Sequence, residues 1–376
     1  MKAKIAILGG AFIALLVVAG VLINIAFFGG DGIAKKNPHP GEIYIGANLE
    51  LSGNYRAFGL DVKAGMKYAI DSINREGGID GKKIHVEYID NKNDSTNSRE
   101  ILEDFAKERY DVMIGPNSTA SLLALREKAE ELKLPVITPL NSYDYLAMED
   151  NVKYPYMHQI NLPNYVQIEK LAKYAFDQLA LTKIVVFYDP NNPDSKNQFD
   201  RFKEDYPGDL VEGIEFNTKL TDYAEDVKKL AGMDYDGIFV AGAAASAGLM
   251  IKELRDGDVS APILTNDKCN SESIFIIAGE KNIDNVYMTS GFNPLDKDEE
   301  QWTITYKTKT GQTVNDFSYY GYQSVMRIFD AYKSMKNNGS SDFNAELAKM
   351  GNYSNSEDVF LTHYVAGRVD NVVELP

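Results

Sequence analysis

The chain of 376 residues contains one cysteine, Cys269, and four histidines, His39, His85, His158 and His363. A single thiol excludes an intrachain disulfide and any multi-cysteine zinc or iron–sulfur centre, and the scattered histidines show no ligand spacing. Stability must come from core packing, and no cofactor or metal is expected. Positive charge is also scarce. Against 55 Asp and Glu stand 39 Lys and Arg, a formal net charge of −16 that repels a phosphate backbone and argues against a nucleic-acid partner. The phosphate-cradling Gly-x-x-x-x-Gly-Lys-[Ser/Thr] loop is missing, since GGIDGKK at 77–83 has the wrong spacing and no hydroxyl after the lysine. Gly-x-Gly-x-x-Gly and Gly-x-Ser-x-Gly are absent too, and no nucleophile–His–carboxylate trio can be assembled, so an enzyme is not expected.

What is present describes a packed α/β chain. Hydrophobic residues make up 44% and charged residues 25%, the balance of a globular protein, and the length suits about two domains. At the amino terminus, Lys2 and Lys4 precede an apolar run at 5–28 whose only strongly polar member is Asn24. As a helix it spans roughly 36 Å, enough for a ~30 Å hydrocarbon layer. It is longer than the apolar part of a cleaved signal and ends in Phe27-Phe28 without small residues, which favours an uncleaved anchor over a signal segment within residues 1–30. The leading lysines place that end in the cytoplasm and the body outside, tethered to the membrane, or secreted if the segment is cut. Residues 31–41 (DGIAKKNPHPG) read as a linker.

From residue 42 the pattern alternates. Apolar β-type runs at 43–51, 84–89, 112–115 and 135–139 are separated by helical periodicities at 59–74, 95–109 and 118–132. A second cycle follows a Pro- and Tyr-rich stretch near 154–164, with strands at 183–188, 210–216, 237–241, 262–265 and 286–290. Its helices fall at 165–178, 196–206, 222–230 and 244–255. Helices at 299–308 and 317–336 and a β-like segment at 359–365 close the chain. Repeated βα units require parallel sheets covered by helices, hence two α/β lobes, and ligands of such sheets bind beyond the carboxyl ends of the strands. At those ends lie GPNSTAS (115–121) and TPLNSY (138–143), rich in hydroxyls and backbone donors at a helix start, and NDK (266–268), which offers an acid. Donors at a helix start either cap the helix or receive a carboxylate, and Asp267 is either an exposed turn residue or an ammonium partner. An anion site opposite an acid suits a zwitterion.

Four stretches carry a resemblance: LSGNYRAFG (51–59), AIDSINREGGIDGKKIHVEYIDNKND (69–94), VMIGPNSTAS (112–121) and PVITPLNS (135–142). Together they resemble the substrate-binding proteins of branched-chain amino-acid ABC transporters, the periplasmic binding protein type I group, from about residue 42 to the carboxyl terminus. NREGGIDGKKI is the most specific piece. The resemblance implies two Rossmann-like lobes with parallel sheets joined by three hinge crossings, 42–160 plus about 291–350 and 161–290 plus about 351–376. It also implies an amino-acid ligand captured by closure and an ABC permease as partner. It places the ligand's carboxylate on Thr119 and Ser142, with backbone groups from Ser118 and Leu140, the ammonium on Asp267, and an aromatic wall at Phe58. Tyr55, Tyr143, Tyr165, Tyr223 and Tyr322 fall in or near the expected cleft loops, and Tyr322 is included among the binding residues. Pro193, Ala243 and Ala244 stand where branched-chain binders place aromatic residues, so the side-chain pocket is remodelled. Gln159 and Asn164 replace an Arg and an Asp at the lobe crossing. Related members bind urea, short amides or other small polar metabolites, and a ligand-sensing ectodomain is a further alternative.

Overall fold

Strand β1 (Glu42–Leu49) is buried at every position from Ile45 onward, as a strand covered on both faces must be. It pairs in parallel with β2 (Lys83–Asp90) and β3 (Val112–Ile114), and β4 (Val136–Thr138) and β7 (Met157–Gln159) extend the sheet in the order β2-β1-β3-β4-β7. A small hairpin of β5 (Met148–Glu149) and β6 (Val152–Lys153) sits between the last two, turning through Asp150 and Asn151 at positive φ. This is a computed structural model, and it describes residues 41–293, 297–350 and 358–376. The apolar run at 5–28 lies outside the described residues, as does the linker except for Gly41. Among the described residues no helix is long and apolar enough to cross a membrane.

The second sheet has the order β14-β13-β12-β11-β10-β8-β9. Its strands β8 (Lys183–Tyr188), β9 (Asp209–Glu215), β10 (Gly237–Val240), β11 (Ile263–Thr265) and β12 (Val286–Ser290) are parallel. The edge is not. β13 (Val359–Val365) and β14 (Arg368–Leu375) run antiparallel to their neighbours, because Ala366 (φ 48°) and Gly367 (φ 74°) form a two-residue turn whose twist matches a hairpin. The sheet is therefore mixed where repeated βα units alone imply a purely parallel one.

Helices follow most of the strands: α1 (Arg56–Arg75), α2 (Ser95–Glu108), α3 (Thr119–Leu132), α4 (Asn164–Asp177), α5 (Pro193–Asp205), α6 (Ala224–Lys228), α7 (Ala244–Asp256) and α8 (Glu272–Ala278). Beyond β12 come α9 (Lys297–Thr310), α10 (Asp316–Asn338) and α11 (Phe343–Lys349). Local chemistry fixes their ends. Asp94 accepts from Asn97 N (2.7 Å) at the start of α2, Asn192 accepts from the Asp194 and Ser195 N–H groups at α5, and Asn315 and Ser318 form a capping box at α10.

Helices α9 and α10 pack on α1, and His158 Nε2 meets Asn344 Oδ1 at 2.8 Å, so α9–α11 complete the lobe built on the first sheet, whereas β13 and β14 return to the second. Buried apolar side chains run without a break from Ile43, Val62 and Ile160 to Val185, Phe187 and Met288, joining the two lobes through one core.

The α1–α10 contact depends on two glycines. A Cβ on Gly65 would lie 1.8 Å from the Ser318 carbonyl oxygen, and one on Gly321 would lie 2.2 Å from that of Val62. Helix propensity favours Gly321→Ala by up to about 1 kcal/mol, but a methyl driven into a backbone carbonyl cannot escape by changing rotamer and costs about 1–3 kcal/mol or more. Gly321→Ala should therefore lower the melting temperature by several degrees in a thermal denaturation scan; an unchanged or higher value would contradict this packing.

Candidate functional site

The loops that follow β1, β3, β4, β10 and β11 converge where the lobes face each other, at the carboxyl ends of parallel strands. In the first lobe, Glu50 follows β1 and is fully buried. Its carboxylate accepts from Asn117 N (3.1 Å), Asn117 Nδ2 (2.8 Å) and Ser118 N (3.3 Å). Burial pushes the Glu50 carboxyl up, and these donors pull against it. An internal acid thus takes the N–H of Ser118, one of the donors expected to face a ligand. What remains at this helix start is Thr119, whose Oγ1 accepts from Asn141 Nδ2 (2.7 Å) and keeps its own proton to give, together with the first-turn N–H groups of α3, which have no intrahelical acceptor.

Ser142, on the loop after β4, is fully buried and its hydroxyl has no partner. Its carbonyl accepts from Asn164 N at 2.6 Å. The Leu140 carbonyl accepts from Asn161 Nδ2 (3.2 Å), and the same nitrogen donates to Asp267 Oδ2. One amide on the first crossing therefore ties the acid of the second lobe to the hydroxyl loop of the first.

Asp267 follows β11 in a single 3₁₀ turn capped by Asn266, whose Oδ1 accepts from Lys268 N (2.9 Å). Only 2% of the residue is exposed, and Oδ1 meets no donor. Burial raises the Asp267 carboxyl above the usual range; Lys268 and Asn161 oppose this and Asp194 adds to it. Lys268 is itself engaged, its Nζ lying 2.6 Å from Asp194 Oδ2.

Phe58 is buried edge-on between Tyr55 (5.5 Å between ring centroids) and Phe317 (4.8 Å), an apolar wall that spans α1 and α10. Tyr322 stands apart from these residues. Its ring lies 4.9 Å from Trp302 and 6.0 Å from Tyr68, inside the aromatic cluster where α10 meets α9 and α1. Two positions along a helix rotate a side chain by about 200°, and it is Tyr320 that points the other way. The Tyr320 hydroxyl is buried without a partner, and a Cβ on Gly291 would come within 2.0 Å of it. Of the other tyrosines, Tyr55 sits within reach of the charges of Asp194, Glu50 and Asp189, Tyr223 is buried against Phe216, Tyr143 packs on Tyr145, and Tyr165 is exposed.

Asp316, the first residue of α10, was not apparent in the sequence, where it reads as an acid in the first turn of a helix. It is 3% exposed, Oδ1 accepts from Ser290 Oγ (2.9 Å), and Oδ2 is buried with no donor. Burial pushes its carboxyl well above the ordinary range, and the charge of Asp267 adds to the shift.

Side chains also bridge from the first lobe to the second. Asp144 Oδ2, after β4, receives Arg201 Nε (2.7 Å) and Asn197 Nδ2 (3.0 Å) from α5, and Arg201 also reaches the Tyr145 hydroxyl (3.2 Å). At the crossing, Gln159 Nε2 donates to the Tyr143 carbonyl (3.0 Å), and Asn164 Nδ2 to Asn197 Oδ1 (2.8 Å) and Asp194 Oδ1 (3.2 Å). No group of acids, histidines or cysteine arranged to hold a metal occurs among the described residues.

Residues 42–373 match the periplasmic binding protein family. The chain is 22% identical over 336 residues to Leu/Ile/Val-binding protein homolog 1 of Brucella abortus, covering 88% of this chain and 86% of the relative. Among solved structures, it is similar to the branched-chain amino acid transporter substrate-binding protein LivJ from Streptococcus pneumoniae in complex with isoleucine. There the TM-score is 0.81 and the identity 25%, over 89% of this chain and 99% of that one. The leucine binding protein LivK from Thermotoga maritima superposes with a TM-score of 0.78 at 20% identity, over 88% and 98% of the two chains.

The buried acids make a stability prediction. A carboxyl raised in the folded state contributes stability below its unfolded pKa and loses it as pH rises through the folded value. Asp316→Asn keeps an acceptor for Ser290 and removes the charge. It should stabilise the unliganded protein by about 1–3 kcal/mol at neutral pH, with the gain shrinking as pH falls into the ordinary carboxylate range. Denaturant titrations at several pH values check this; a gain that grows toward low pH would contradict it.

Proposed function

The chain belongs to the periplasmic binding protein family, and from that premise we propose that it is an extracytoplasmic solute-binding protein that captures an amino acid between its lobes. Delivery to an ABC permease and tethering by residues 5–28 belong to the same reading, as do lobes of 42–160 with about 291–350 and 161–290 with about 351–376. The observation that carries it is the pairing of Asp267, dry and with one oxygen unmet, with the unpartnered hydroxyl of Ser142 across the crossing. Their polarities are opposite. A zwitterion fits between them with its ammonium on Asp267 and its carboxylate on Ser142 and Thr119, bounded by Leu140 and the Phe58 wall. Closure removes water, so each of these charge-assisted bonds counts for more than at an open surface. The relatives named above include an isoleucine complex, which supports an amino acid as the ligand class.

Binding needs no chemistry from the protein. Asp267 supplies charge, Ser142 and Thr119 supply donors, and the Asp144–Arg201 pair with the Asn197 amide on Asp144 stabilises the closed form. Calorimetry of the full-length chain against the common amino acids should find a ligand with micromolar or tighter affinity. Asp267→Ala should weaken it at least ~100-fold, about 3 kcal/mol, because a buried ammonium is left unpaired, and Thr119→Ala about tenfold. Binding of urea or a short amide that is indifferent to Asp267→Ala, with no response to any amino acid, would refute the reading.

A further inference from the structure

Most acids around the cleft are already matched. Asp144 has Arg201, Asp194 has Lys268, and Glu50 has the Asn117 and Ser118 N–H groups. Asp189 accepts from Thr218 N (2.8 Å), Thr218 Oγ1 (2.7 Å) and Asn191 N (2.9 Å). Among the described residues, Asp267 and Asp316 are the acids with a fully buried carboxylate oxygen that no donor meets. They come from different parts of the fold, the end of β11 and the start of α10, yet β11 pairs in parallel with β12, Thr265 beside Met288, so Asp267 and the Ser290 that holds Asp316 follow neighbouring strand ends, and the charge of Asp267 reaches Asp316. A third group points to the same place and is not an acid: the Tyr320 hydroxyl is fully buried, has no partner, and is within electrostatic reach of both carboxylates. Gly291 admits it, since any side chain there would collide with the hydroxyl.

One ligand ammonium does not account for all of this. It carries a single positive charge, and Asp267 already faces the Leu140–Ser142 loop through Asn161. Asp316 approaches from the hinge, held by Ser290 at the end of β12, with Tyr320 one helical turn along α10. On that side Asp316 Oδ2 is buried with no donor, and the Tyr320 hydroxyl is buried with no hydrogen-bond partner. Burying a polar group without a partner is costly, and a ligand that supplies the donor recovers the cost.

Building on the amino-acid reading, we propose that Asp316 and Tyr320 form a second polar subsite beside Asp267 that receives a hydrogen-bond donor on the ligand's side chain. The preferred ligand is then an amino acid ending in an amide, hydroxyl or ammonium group, not a branched aliphatic one. The missing aromatic residues at Ala243 and Ala244 agree with a pocket that does not grip a bare hydrocarbon side chain.

The test is calorimetry of the full-length chain with leucine, isoleucine and valine set against asparagine, glutamine, serine, threonine, ornithine and lysine, repeated with Asp316→Leu and Tyr320→Phe. The wild-type chain should bind at least one donor-bearing amino acid tenfold or more tightly than any aliphatic one. Asp316→Leu should erase or invert that preference, and Tyr320→Phe should narrow it. Asp316→Asn, which preserves shape and an acceptor, guards against misfolding and should retain part of the preference. Equal weakening of every amino acid by Asp316→Leu would mean that Asp316 merely completes the ammonium site, and a preference unchanged by it would mean no subsite; either result overturns the proposal. If no amino acid binds the wild-type chain, it is the underlying amino-acid reading that fails.

Discussion

Asn161 Nδ2 holds the Asp267 carboxylate of one lobe beside the Leu140 carbonyl of the other, and leaves the second oxygen of the acid dry and without a donor. A lone buried carboxylate is among the more expensive things a fold can contain. It persists because the rest of the core holds it, and it makes a place where a cation or a proton is worth more than it would be in water. The proposed site sets against it the hydroxyls of Ser142 and Thr119 on the loops of the first sheet. Their strands end next to the crossing that carries Asn161, so the parallel sheet order sets the separation of the two ends.

The surrounding structure holds that arrangement through two different kinds of contact. Gly65 and Gly321 let α1 and α10 touch backbone to backbone, which fixes the start of α10 and with it Asp316 and Tyr320. Glu50 satisfies the entry to α3 from within the protein. Across the mouth the contacts are of another kind: the Asp144–Arg201 ion pair, the Asn197 amide on Asp144 and the Arg201 guanidinium on the Tyr145 hydroxyl. These polar contacts can be exchanged for water at modest cost.

Much of the fold was legible because parallel strands and their helices write strong periodicities. Residues 84–89, 183–188 and 286–290 alternate or cluster as strands do, and they form β2, β8 and β12. The missed elements lack that signal. β5 and β6 have two residues each, α8 and α11 have seven, and β14 is largely exposed, so a polar sequence, RVDNVVEL, satisfies it. In the site, hydroxyl-rich strand ends drew attention to Thr119, Ser142 and Asp267, which the structure places around one crossing. The motif could not show that Glu50 takes the Ser118 N–H, a contact between residues far apart in sequence. Nor could it show that Tyr322 packs against Trp302 and Tyr68, because that depends on which face of α10 meets α1 and α9. Asp316 was hidden for a similar reason, since an acid at a helix start is usually a solvated surface residue, and only the packing of α10 against Ser290 buries it.

The most direct measurement is a crystal structure of the protein with an amino acid bound. The account predicts the ligand between the lobes, its ammonium about 3 Å from Asp267 Oδ1 and its carboxylate on the Ser142 and Thr119 hydroxyls. A ligand seated elsewhere, or one that leaves the inner oxygen of Asp267 unmet, would contradict it.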